Sequence, residues 1–197
     1  MTYVRTSLIT DPADPTRQSE FDTYFSAPVI VDAAHHEIHE GAMFSLFVSE
    51  SAISDTETIE IFVTTPDTAT PQKRAHLIAE TSGSLAYTFT IQEGPTYSSG
   101  GAAGTAYNRN RGSSTTTGMQ DLYTGNTADN IVTGGSPTTI WTKFNGSGRD
   151  AGGSGRDDNE WVLAPDTSYL FQLTSSAGAG TFNDVYIGLI WYEHTDD

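Results

Sequence analysis

At 197 residues the chain has the length of one domain with a single sizeable core. Its 9 basic and 25 acidic residues give a net charge of −16, which argues against nucleic acid and anionic membranes as direct partners, because phosphates are bound by Lys and Arg. There is no cysteine, hence no disulfide framework and no thiol chemistry, and no stretch approaches the roughly 18 apolar residues of a membrane helix.

The N-terminal run MTYVRTSLITDPADPTR lacks the apolar core of a signal peptide, so synthesis in a cytoplasm is expected. Tyr3 to Ile9 reads as a short strand. Asp11-Pro12 and Asp14-Pro15 break it, since each proline lacks a donor and pushes its predecessor out of the helical region. Residues 1–27 carry Tyr3, Phe21, Tyr24 and Phe25. They are read as an N-terminal arm whose aromatics meet a partner, ahead of one sandwich domain over residues 28–197. A strand is expected after Pro28.

The cluster His35-His36-Glu37-Ile38-His39-Glu40-Gly41 comes next. Imidazole and carboxylate suit zinc or iron. The spacing departs from HExxH, because Glu40 stands where the second histidine belongs. It also departs from the cupin pattern of two histidines one residue apart followed by a glutamate. On a strand, His35, Glu37 and His39 share one face and can hydrogen-bond. The cluster, with His36, is therefore read as structural or as part of an interface. No metal and no cofactor is expected, and a cupin-like metal protein is the minor alternative.

Met43 to Ser49 alternates as a strand with Phe44, Leu46 and Val48 on one face. Thr58 to Thr65 and Arg74 to Thr81 are further strands. Ser84 to Gln92 sets Leu85, Tyr87, Phe89 and Ile91 against polar neighbours, the pattern of a strand with one wet face. From Gly94 to Gly118 the composition turns to Gly, Ser, Thr and Ala. Within that stretch Tyr107 to Arg111 reads as strand-like and puts Arg109 and Arg111 on one side. In an acidic chain such a pair is an interface feature or a solvated loop pair. Met119 to Thr124 and Thr138 to Phe144 are short strands. In the polar loop from Asn145 to Asn159, Asp157 and Asp158 are read as a solvated acidic loop, since one copy of a calcium-repeat-like glycine pattern does not stack.

Glu160 to Glu193 reads as two long strands joined by Ala177-Gly178-Ala179-Gly180, a hairpin at the centre of the fold. These alternations predict an all-β protein: an antiparallel β-sandwich, jelly-roll-like or in a related Greek-key order. No GxSxG nucleophile and no phosphate loop is present.

Three stretches carry a resemblance: His35 to Phe44, Tyr107 to Arg111 with its Ser/Thr continuation, and Glu160 to Leu170 ending in Asn183-Asp184-Val185 and Trp191-Tyr192-Glu193. Together, over about residues 28–193, the chain resembles tailed-phage capsid decoration, or cement, proteins. The resemblance implies a jelly-roll-type sandwich with no enzymatic activity, a homotrimer bound to the major capsid protein on the outer surface of a virion. A glycan-binding head- or tail-fibre module, with Trp141, Trp161 and Trp191 stacking on sugars, is the alternative.

Overall fold

The computed structural model describes residues 10–11, 14–18, 33–66, 73–146 and 160–195, with side chains described over 36–66, 74–146 and 160–194. The chain divides into two compact units, residues 1–36 and 37–197. In the first, β1 (Thr10–Asp11) and β2 (Asp14–Gln18) pair antiparallel. The strands expected at Tyr3 to Ile9 and after Pro28 lie outside the described residues. So do Tyr3, Phe21, Tyr24, Phe25, Asp157 and Asp158, and of His35 only the backbone is described.

The remaining elements in order are α1 (Ala33–Glu40), β3 (Met43–Ile53), β4 (Thr58–Thr64), β5 (Lys73–Gly83), β6 (Tyr87–Glu93), β7 (Thr96–Ser99), β8 (Ala102–Ala103) and β9 (Tyr107–Asn108). They continue with β10 (Gln120–Gly125), β11 (Val132–Gly134), β12 (Thr138–Asn145), β13 (Glu160–Val162), β14 (Ser168–Ser175) and β15 (Asn183–Thr195). One sheet runs β12-β6-β14-β4-β10-β8 and the other β13-β5-β15-β3-β9, while β7 and β11 form a separate ribbon. All the pairs are antiparallel.

Take β3, β4, β5, β6, β12, β13, β14 and β15 as the main strands, numbered one to eight. The sheets then read first-eighth-third-sixth and second-seventh-fourth-fifth. That interleaving makes the antiparallel sandwich jelly-roll-like.

The expected hairpin between residues 160 and 193 does not form. β14 pairs with β4 and β6, whereas β15 pairs with β3 and β5 in the other sheet. The small-residue link steps across the sandwich, about 10 Å between sheets. Gly178 and Gly180 take positive φ there, and Thr181 Oγ1 donates to the carbonyls of Ala177 and Gly178. Period-two alternation identifies two half-buried strands but not the strand that fills their hydrogen bonds. Both strands are nonetheless central, each paired on both edges.

Their inward residues build the core. Phe171 lies between Ile61 and Ile91, and Leu173 between Ile59 and Phe89. In the facing sheet Leu189 lies between Leu46 and Ala79, and Trp191 between Phe44 and Leu77. The Phe44 and Trp191 rings stack with centroids 5.9 Å apart. These cross-strand rows are the unit of sheet stability. Buried Asn183 ties the sheets at one end: its Oδ1 accepts from Leu85 N and Ser84 Oγ, and its Nδ2 donates to the Ala86 carbonyl.

Two local expectations are corrected. Residues 33–40 form a helix, not a strand, so His35, Glu37 and His39 do not share a strand face. Ala33, Ala34 and the glutamates favour helix, and Gly41 closes it at φ 73° with its N–H on the Ile38 carbonyl. The segment at Arg109 to Arg111 is a turn beyond the short β9, so the two arginines do not alternate along a strand.

Phe171→Ala should lower the unfolding free energy by about 3–5 kcal/mol, the range for deleting a fully buried aromatic ring. Urea titration checks it; a loss below about 1 kcal/mol is incompatible with this core.

Candidate functional site

The outer face of the five-stranded sheet takes the residues that alternate with the core. Tyr186 on β15, Phe47 on β3 and Tyr107 on β9 stand side by side there. Phe47 packs between the other two, with ring centroids 6.4 Å from Tyr186 and 6.5 Å from Tyr107. Gly188 makes this arrangement possible: a Cβ built there would lie 2.3 Å from Tyr186 Oη, so the ring lies over a residue with no side chain. Burial, and secondarily the charge of Glu80, pushes the Tyr186 phenol above its ordinary pKa. Phe47 and Tyr107 remain 54% and 46% exposed, which makes this row an accessible aromatic strip.

The strip ends in a cation. The Arg111 guanidinium sits 5.9 Å above the Tyr107 ring, and Arg111 Nη1 donates to the Asn108 carbonyl. Arg109 Nη1 contacts Met43 Sδ at 3.8 Å. Asparagines fix this turn. Asn108 Oδ1 accepts from Asn110 N, and Asn108 Nδ2 donates to the Gly41 and Thr115 carbonyls. Asn110 Nδ2 reaches the His39 carbonyl at 3.0 Å. The two arginines and His39 named from sequence thus gather at one corner. The arginine fork and the aromatic row, types enriched at interfaces, share that corner.

His36, Glu37 and Glu40 form a separate group on α1, their ligand atoms within 4.8 Å of one another, Glu40 standing one turn on from the other two. His39 is not in it. The cupin arrangement, with ligands on strands, does not form at these residues. Of the tryptophans, Trp191 is 1% exposed and faces the core, while the partly buried Trp141 and Trp161 pack against that core and lie 5.9 Å from each other.

A second set of residues went unseen in the sequence. The Gly-rich segment after β6 is held by carboxylates from the strands. Buried Glu60 on β4 accepts from Ile131 N at 2.7 Å and Gln172 Nε2 at 2.6 Å. Glu50 on β3 accepts from Thr127 N at 2.9 Å and Thr127 Oγ1 at 2.6 Å. Buried Glu193 on β15 accepts from Gly118 N, Trp191 Nε1 and the Thr117 hydroxyl. Beside Glu60, Phe62, Ile131 and Leu170 form a second small core on the outer face of the six-stranded sheet, against which Tyr97 and Tyr123 stack at 4.0 Å. The only hint in the sequence was the position of glutamates in otherwise apolar strands.

A scan against protein-family models found no match, and searches of curated proteins and of solved structures also found none.

Glu60→Ala removes the acceptor for two donors, each costing about 1–3 kcal/mol when left buried and unpaired. The variant should unfold at lower denaturant and be cut by protease between residues 94 and 134 under conditions where the parent is not. A variant as stable and as resistant as the parent would contradict the clamp.

Proposed function

We propose that this chain is a non-enzymatic structural protein that decorates and stabilises the outer surface of a tailed-phage capsid, binding the major capsid protein as a homotrimer. The observation that carries the binding role is the strip Tyr186–Phe47–Tyr107–Arg111 with Arg109 beside it, seated on β15, β3 and the edge strand β9. The sequence resemblance supplies the identity of the partner.

The physical argument has three steps. Stable association is the simplest use of a sandwich whose sequence carries no GxSxG nucleophile and no phosphate loop. Aromatic rings and arginines are the anchors that interfaces select, and here they are held in place before binding, which reduces the ordering cost. An acidic surface elsewhere keeps particles apart in solution and turns away nucleic acid. Binding only the matured shell would stabilise that state by mass action, and three linked copies would multiply a weak single contact. Residues 1–27, with Tyr3, Phe21, Tyr24 and Phe25, are proposed to supply an additional contact to neighbours. The virion surface is the proposed location.

The test is sedimentation of the free protein, then its binding to mature shells stripped of decoration. Trimers that bind and raise shell heat resistance are expected. Arg109→Glu with Arg111→Glu should weaken binding at least tenfold, about 1.4 kcal/mol, without unfolding the domain. Removing residues 1–27 should weaken it while the sandwich stays folded. A monomer that leaves stripped shells bare and their stability unchanged overturns the reading.

A further inference from the structure

Four side chains on the outer face of the five-stranded sheet, none of them part of the aromatic strip, converge at the end of β15. His76 on β5 lies directly opposite Tyr192 on β15 and Val162 on β13. His194, two residues on from Tyr192, is paired in register with Arg74 and therefore stands diagonal to His76. Glu160 begins β13. The strands set these positions, although 118 residues separate the two histidines.

The hydrogen bonds fix the chemistry of each nitrogen. His76 Nδ1 lies 2.8 Å from Glu160 Oε1 and 3.0 Å from Tyr192 Oη, and Tyr192 donates to the same Glu160 oxygen at 2.6 Å. A carboxylate has no proton to give, so Nδ1 of His76 carries one, and in the neutral ring Nε2 presents its lone pair. That lone pair points at His194: the two Nε2 atoms are 2.8 Å apart. Tyr192 stacks on both imidazoles, with ring centroids at 4.7 and 5.8 Å, and restricts their rotation. His76 and Glu160 side chains are 18% and 21% exposed, so small ions reach them while most of each group is shielded.

We propose that His76 and His194 bind one divalent transition-metal ion of the imidazole-preferring class, zinc, nickel or copper(II), through their Nε2 atoms. Two imidazoles on one such ion, each about 2.0–2.1 Å from it, have their nitrogens roughly 3 Å or a little more apart, so the ion enters when the two nitrogens part by a few tenths of an ångström and both rings tilt to turn their lone pairs from each other toward one point. His194 coordinates once its proton resides on Nδ1. Glu160 is the positioning residue: a carboxylate on the far nitrogen of a ligating histidine fixes tautomer and orientation and raises basicity. Water fills the remaining positions. Imidazole ligands favour this class over calcium or magnesium, which take oxygen. The ion would staple the last strand to β5, adding a cross-link where β15 ends.

The experiment is calorimetric titration of the full chain with zinc chloride and with nickel chloride, alongside melting curves with and without the metal. One ion per chain and a raised melting temperature are expected. His194→Ala should abolish both effects and Glu160→Gln should weaken binding about 10–100-fold. His36→Ala with His39→Ala should leave them unchanged, which separates this site from the α1 group. Nitrogen-15 spectra of the parent should show the His76 Nε2 signal shifting on zinc addition while Nδ1 keeps its proton. No saturable binding by the parent overturns the proposal, and so does equal binding by folded His194→Ala.

Discussion

The structure depends on how backbone N–H groups outside the strands are satisfied. Between β6 and β12 the chain runs through more than forty residues with only short strands, rich in Gly, Ser and Thr. Ordering such a stretch costs on the order of 1–2 kcal/mol per residue in backbone entropy, with few apolar side chains to offset it. Glu50, Glu60 and Glu193 meet this need. Each projects from a main strand and accepts from amides or hydroxyls of the covering segment. Charged acceptors make the stronger class of hydrogen bond, and a buried carboxylate without donors is costly, so strand and segment are committed to each other. The consequence is a sandwich whose six-stranded sheet carries a small second core, Phe62, Ile131 and Leu170, under the covering segment.

The proposed docking strip is ordered in a similar way. The aromatic row on the outer face of the other sheet rests on paired strands, and the arginine turn is held by Asn108 and Asn110. A surface built this way loses little freedom on docking. Among the described residues, carboxylates serve structure as well as charge: Glu50, Glu60 and Glu193 act as acceptors for the covering segment.

The sequence made the strands legible because they alternate cleanly: β3, β4, β6, β14 and β15 are where the apolar periodicity placed them, within a few residues. It left their partners open, which is why β14 and β15 read as a hairpin when they are the facing centres of two sheets. Three residues of apparent alternation at His35, Glu37 and His39 were too few to separate strand from helix. The arginines and His39 were visible as types, but Phe47, Tyr107 and Tyr186 become a row only through registers set by β3, β9 and β15. His76 and His194 were invisible for the same reason: a diagonal contact between distant strands leaves no spacing to read. Glu60 looked like an ordinary solvent-facing strand residue, because periodicity does not reveal that a loop covers the outer face, while Glu193 continues the inward row of Leu189 and Trp191, where alternation alone does not announce a buried carboxylate.

Native-state amide hydrogen exchange tests most directly whether strand carboxylates turn the Gly-rich segment into part of the fold. The amides of Gly118, Thr127 and Ile131, which donate to Glu193, Glu50 and Glu60, should be protected to nearly the same degree as those of β4 and β14. Exchange of these three at rates close to those of an unfolded chain, with the strand amides still protected, would contradict the account.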